Sequence, residues 1–240
     1  MASDRTSLLY EGKSKRVYAT TDPERVILEF KDDATAFNGV KHATIAGKGV
    51  MNGTLSALFM HQLGQAGVRH HLVEVLSETE HLCRRVNIVP VEVVVRNRVA
   101  GSLHKRYGRP EGGMLSRPLV EFFVKSDELN DPLIGFDAAV ELGFAHAWEL
   151  HFMREQALLV NQVLSSFWST RGVDLIDFKV EFGRTPDGAL VLADEISPDG
   201  CRMWEQGTGR KLDKDVFRRD LGDLAETYRE VVRRATEESS

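Results

Sequence analysis

Residues 175–182 read Leu175-Ile176-Asp177-Phe178-Lys179-Val180-Glu181-Phe182, with every even position apolar. Successive side chains of a strand point to opposite faces, so Asp177, Lys179 and Glu181 share the face away from the apolar set. A strand over 173–183 follows. Asp187-Gly188 is a two-residue hairpin signal, which predicts a second strand over 189–196. If that turn closes the hairpin, facing residue numbers sum to 375 and Glu181 stands opposite Asp194. Like charges so placed cost up to about 1 kcal/mol, so a cation belongs between them. Two carboxylates beside Lys179 suit a magnesium ion that also binds substrate phosphates. Taken alone, the same face reads more simply as a solvated charged surface. The continuation, Asp194-Glu195-Ile196-Ser197-Pro198-Asp199-Gly200-Cys201-Arg202, crowds acidic, turn and basic residues behind an apolar strand and tips the reading towards a site rim.

The rest of the chain sets the class of fold. Strands are predicted over 7–12, 15–20 and 25–31, then a turn-rich stretch over 31–49 and a helix over 52–65 that ends at Gly67. Three more strands fall at 70–76, 80–86 and 90–98. A short helix at 102–107, a Gly-rich loop at 108–113 and a strand at 119–124 come next. The longest helix is expected over 145–170. Trp148, Phe152, Leu159, Val163 and Phe167 form one apolar row, and Met153, Ala157, Val160, Leu164 and Trp168 a second beside it. Closing helices over 214–235 and a frayed tail at 237–240 complete the chain. Strands first, then strands mixed with helices without strict alternation, point to an α+β fold. A lobe boundary near 87–90 divides a mainly antiparallel β lobe, 1–87, from an α+β lobe, 88–240.

Two further clusters carry chemistry. Val93-Val94-Val95-Arg96-Asn97-Arg98-Val99-Ala100-Gly101-Ser102 ends an apolar strand in two arginines on one face, followed by a helix opening at Ser102. Adjacent guanidiniums require an anion, and helix-start N–H groups favour phosphate; ion pairs with nearby glutamates are the plainer alternative. Tyr10-Glu11-Gly12-Lys13-Ser14-Lys15-Arg16-Val17-Tyr18 imitates the end of a P-loop, but Ser7 replaces the required glycine. It reads as a hairpin turn with two lysines, either an ordinary basic hairpin or a cover for nucleotide phosphates.

Several classes are excluded. With 42% hydrophobic and 28% charged residues in 240, the chain is globular, and 31 basic against 36 acidic residues leave no footprint for nucleic acid. No apolar run approaches the ~20 residues of a membrane span, and the first ten residues hold no signal-peptide core. Cys83 and Cys201 lie in no Cys-x-x-Cys pair, which fits a reduced, cytoplasmic setting. The histidines lack zinc spacing, and no serine-hydrolase elbow occurs. From the residues alone, the chain has the equipment of ATP-dependent phosphoryl transfer, with kinase and ligase undecided.

Five ordered motifs resemble those of the SAICAR synthetase family: residues 10–18, 33–39, 94–102, 177–183 and 194–204. The resemblance implies a two-lobed SAICAR-synthase-like fold with a kinase-like or ATP-grasp-like cleft. It also implies a ligase that joins 5-amino-1-(5-phosphoribosyl)imidazole-4-carboxylate (CAIR) to L-aspartate. ATP is cleaved to ADP and phosphate through an acyl phosphate, in de novo purine synthesis. By similarity Gly12, Lys13, Lys15 and Lys125 serve the nucleotide, and Glu181 and Asp194 hold Mg²⁺. Lys179 and Asp131 are the active-site lysine and acid, and Arg96, Ser102 and Arg202 grip the ribose phosphate. A homo-oligomer (dimer) is compatible with this reading. Cys201 stands where the family pattern has serine. A small-molecule or lipid kinase and a non-catalytic nucleotide-binding module are the other function classes. The kinase would need a His-Arg-Asp-type run, which is missing, and the module needs no second phosphate pocket.

Overall fold

The structure, a computed structural model, describes residues 4–36 and 39–237. Phe37 and Asn38 of the second motif, the first three residues and the last three of the expected frayed tail lie outside the described residues.

Short β-branched and aromatic runs build the first sheet, in the order β1 (Arg5–Glu11), β2 (Lys15–Thr20), β3 (Arg25–Phe30), β7 (Glu80–Arg84) and β6 (Leu72–Val75), all antiparallel. The stretch at 31–49 is not merely turn-rich. It holds a small hairpin, β4 (Asp33–Ala36) with β5 (Lys41–Thr44), and then opens helix α1 (Lys48–Gln65) four residues earlier than expected. One side of α1 is nearly bare: a Cβ on Gly49 would lie 2.6 Å from the Phe30 carbonyl oxygen, and one on Gly53 2.7 Å from that of Glu78. The backbone therefore lies directly on the first sheet. Its other side sends Leu55, Phe59, Met60 and Leu63 into the main core.

That core belongs to the second sheet. Its path runs β11 (Leu133–Ile134), β10 (Met114–Val124), β9 (Val91–Arg98), β12 (Val173–Arg184) and β13 (Leu190–Ala193). β8 (Asn87–Ile88) and β14 (Cys201–Glu205) also pair with β12. Helix α4 (Ala147–Ser169) covers one face with Leu150 and with Met153, Ala157, Val160, Leu164 and Trp168, the second of the two expected rows. The first row is only partly buried, and Trp148 is 54% exposed. Beyond α2 (Gly101–Tyr107) and α3 (Phe136–Glu141), the chain closes with α5 (Asp215–Arg218) and α6 (Leu224–Thr236). Because α1 fills the core of the second sheet, it ties the first sheet to the second.

Two expectations about the hairpin are corrected. Thr185 donates its N–H to the Ala189 carbonyl, so the loop is the three residues Pro186-Asp187-Gly188, with Gly188 at φ 83° in the left-handed region that closes such loops. The register shifts by one: Glu181 faces Ala193, not Asp194. The second strand also stops at Ala193 rather than running to 196, and Cys201 and Arg202, the end of the expected rim, open β14 (Cys201–Glu205) against β12. Residues 194–200 thus form a loop thrown out from one edge of β12, between β13 and β14.

Candidate active site

The face of the second sheet away from α4 is charged because two neighbouring strands alternate in step. On β9, Val91, Val93 and Val95 enter the core, while Glu92, Val94 and Arg96 line a cleft; on β12, Asp177, Lys179 and Glu181 line it beside them. Lys179 pairs with Val94 and Asp177 with Arg96 across the ladder. The cleft has a volume of about 760 Å³ and lies between the two sheets. Its walls include Gly12, Lys13, Lys15, Arg96, Lys125, Asp131, Lys179, Glu181, Asp194 and Arg202, ten of the eleven residues singled out from the sequence. Ser102, the eleventh, accepts a hydrogen bond from Arg96 Nη2 at 2.9 Å.

At one end, lysines and carboxylates interleave. Glu181, 3% exposed, accepts from Lys125 at 2.9 Å and Lys179 at 2.5 Å, and Lys179 also reaches Glu92 at 2.9 Å. A solvated face, the plainer reading, is excluded by that burial. Lys15 is paired with Asp194 and lies 2.7 Å from Glu195, while Lys13 meets Asp127 at the rim. Burial opposes the charge of Lys15, but Asp194 and Glu195 outweigh it and hold its pKa above the ordinary lysine value. Lys179 is likewise raised, against burial, by Glu181, Glu92 and Asp194. Asp194 is pushed the other way: burial raises it, but Lys15 and Lys179 carry it well below the usual carboxylate range. Burial lifts Glu92, with Lys179 pulling against it. Lys15, Lys125 and Lys179, which neighbouring carboxylates hold charged against burial, are ammoniums fit to neutralise phosphate and unfit to act as bases.

The hairpin turn of β1 and β2 reaches over this end: Gly12 N–H donates to the Lys15 carbonyl, and Ser14 Oγ donates to Glu195 at 3.2 Å. Leu9, Val17, Val26, Leu28, Val86 and Ile88 supply an apolar wall above it. Asp131 sits at φ 45° with Oδ1 accepting from the Ser126 N–H.

At the other end lie the arginines. Arg96, 2% exposed, donates Nε to Glu121 at 2.6 Å and Nη1 to Asp177 at 2.8 Å in addition to Ser102. Each of its three nitrogens has one protein partner, which leaves two of its five N–H groups for an incoming anion. Arg202 is the more available cation: it bridges Asp177 and Asp215 at 3.0 Å and rests on the bare Cα of Gly101. Burial opposes its charge, but Asp177 and Asp215 hold its pKa above the usual arginine value. Cys201 is buried and its thiol pushed up by that burial, which leaves it inert.

Glu92 and Lys48 escaped sequence reasoning, and Asp199 stood in the rim run with no partner assigned. Glu92 was legible from the alternation of 91–96 but unmarked by any motif. Asp199 accepts from Lys48 at 2.6 Å, Lys214 at 3.3 Å and Tyr228 at 2.6 Å, joining α1, α6 and the 194–200 loop. Lys48 is fully buried, and no local pattern announces a lysine in that position. Among the described residues no three His, Cys, Asp or Glu side chains form a ready metal cage, and no helix is long and apolar enough to cross a membrane.

A lysine-covered acidic pocket joined to an arginine pocket gives this cleft the equipment of a phosphate-handling enzyme. The family model for SAICAR synthetase matches residues 8–235. A phosphoribosylaminoimidazole-succinocarboxamide synthase of Magnetococcus marinus is 54% identical over 228 residues, covering 94% of each chain. That of Anoxybacillus flavithermus is 51% identical over 96% of each. A solved SAICAR synthetase in complex with ADP superposes with a TM-score of 0.92 at 47% identity, over 96% of this chain and 98% of the other. The corresponding synthase from Ehrlichia chaffeensis gives 0.93 at 38%, over 98% and 100%. The chain belongs to the SAICAR synthetase family.

Proposed function

We propose that this cleft performs the ATP-dependent ligation of CAIR to L-aspartate, giving SAICAR, ADP and phosphate, and that its two ends divide the work. The observation that carries the reading is the continuity of one cavity from Lys13 and Lys15 through Glu181 and Asp194 to Arg202. The first sheet and its hairpin turn, within 1–87, cover the nucleotide. The apolar wall takes the base, Gly12 lets the turn approach, and Lys13, Lys15 and Lys125 face the phosphates. The 88–240 lobe carries the metal and CAIR sites, where Ser102 and Arg202 hold the sugar phosphate. Arg96 serves there by fixing Ser102 directly and Arg202 through Asp177.

Glu181 and Asp194 would hold Mg²⁺. The donor set fits: two hard carboxylate oxygens, each now neutralised by ammonium, at a cleft where phosphates and water supply the remaining ligands. Bound there, the ion would draw charge from the phosphate oxygens. The residues of this chain then do the following. A carboxylate is a poor electrophile, so the CAIR carboxylate oxygen attacks the γ-phosphorus and ADP leaves, giving an acyl phosphate. Lys15 and Lys179 neutralise the transferring group and stay protonated throughout. The aspartate amine adds to the acyl carbon, the C–O bond to phosphate breaks, and the amine proton passes to the departing phosphate. Asp131, at the cleft wall beside Lys125, is placed to orient the amine. No protein nucleophile is needed, because alignment in a shared cleft supplies much of the barrier reduction.

A coupled assay for ADP release tests the reading. Release is expected to require CAIR and L-aspartate together. Release driven by a hydroxyl acceptor without aspartate would overturn it in favour of a kinase.

A further inference from the structure

Asp194 departs from ordinary backbone geometry, with φ at 60°. An L residue in the left-handed region crowds its own carbonyl, and aspartate is one of the few that tolerates it when something holds it there. The Asp194 carbonyl accepts a hydrogen bond from His71 Nε2 at 2.9 Å. A carbonyl can only accept, so Nε2 carries the hydrogen whatever the charge of the ring.

His71 is well placed for that task. It is 5% exposed, and its backbone is tied on both sides: its N–H donates to the Leu192 carbonyl at 2.9 Å, and its carbonyl accepts from the Arg84 N–H at 2.7 Å. Leu192 N–H in turn donates to the Arg69 carbonyl at 2.9 Å. Residues 69–71 therefore clamp the end of the first sheet to β13, two residues before Asp194. The imidazole reaches past the end of β13 to the Asp194 carbonyl. None of the chemistry above uses it.

We propose that His71 is a positioning residue: its Nε2–H fixes the left-handed turn at Asp194 and so aims that carboxylate into the cleft. The proposal rests on the reading of Asp194 as a metal-holding acid. Without the latch, the turn relaxes towards ordinary backbone geometry and the carboxylate leaves its place beside Lys15.

Calorimetric binding of ADP with and without Mg²⁺, together with kcat and thermal melting, tests this on His71→Leu, His71→Asn, His71→Gln and Asp194→Asn. Glutamine can place an N–H near the position of Nε2; leucine has no donor and asparagine falls short. His71→Leu and His71→Asn are expected to weaken MgADP binding and lower kcat, each by about tenfold, with metal-free ADP affinity unchanged. His71→Gln is expected to stay within about threefold of the parent protein. Leu and Asn variants that melt earlier but keep parental MgADP affinity and kcat would overturn the latch, leaving His71 a structural residue. A Gln variant as impaired as the Leu variant would also overturn it. If the Leu variant does not fold, the Asn and Gln pair decides. Parental MgADP affinity in Asp194→Asn would refute the metal reading itself, a result distinct from failure of the latch.

Discussion

Gly101 is where one methyl group tests the arginine end of the cleft. Its φ of 54° lies in the left-handed region, and an added Cβ would stand 2.6 Å from Arg202 Cζ and Nη1. In Gly101→Ala the backbone strain alone is about 1–2 kcal/mol. The guanidinium must also move. Arg202 is anchored by Asp177 and Asp215 at 3.0 Å, so its displacement loses charge-assisted hydrogen bonds of about 1.5–3 kcal/mol each. Asp177 keeps Arg96 at 2.8 Å, which limits the loss to roughly one such bond. The sum is about 2.5–5 kcal/mol, a fall of about 5–20 °C in melting temperature for a chain of this size. Steady-state kinetics should show KM for CAIR rising about tenfold or more and KM for ATP changing little, since the lysine end is untouched. Arg202→Ala should give the same kinetic split without the backbone strain. An alanine variant with parental melting and parental KM for CAIR would refute both the close contact and the role given to Arg202.

Other consequences follow from the buried charges. Glu181→Gln and Asp194→Asn should each lower kcat by about a hundredfold or more with the far-ultraviolet circular dichroism unchanged, and normal turnover in either removes it from the metal site. Lys48→Met strips Asp199 of its closest ammonium, though Lys214 and Tyr228 remain. The expected destabilisation is about 3 kcal/mol in urea denaturation, and an unchanged midpoint would show that Lys48 is not needed. His81 is 3% exposed, and burial, opposed by Glu195, depresses its pKa to about 4. The unfolded chain therefore binds this proton first, so stability is complete above about pH 6.5 and falls by about 3 kcal/mol as pH drops towards 4. His81→Leu should flatten that part of the pH–stability curve; an identical slope would contradict the buried neutral ring.

The α+β class, the β2 segment at 15–20 and the long helix were legible because local periodicity and burial agree there. The candidate site was legible where functional residues fall on alternating strand positions or inside dense motifs, as with Lys179, Glu181 and the 194–202 run. What escaped depends on geometry that sequence does not encode locally. The Glu181–Asp194 pairing was displaced because Pro186 and Gly188 select a three-residue loop, moving the register by one. β14 was hidden because Cys201 and Arg202 read as rim while Met203 and Trp204 carry the strand into the core. Lys48 and Asp199 are 151 positions apart, and only the docking of α1 onto the core of the second sheet brings them together. Glu121 and Asp177, the partners of Arg96, come from two other strands, so its ion network was not legible from its own motif.

Diffraction from a crystal grown with ADP, Mg²⁺ and CAIR would expose the proposed division of labour at atomic detail. The β- and α-phosphates should lie under Lys13 and Lys15, the ion should touch Glu181 and Asp194, and the CAIR phosphate should meet Ser102 and Arg202 in the same cavity. Density for CAIR outside that cavity, or an ion bound away from both acids, would contradict the account.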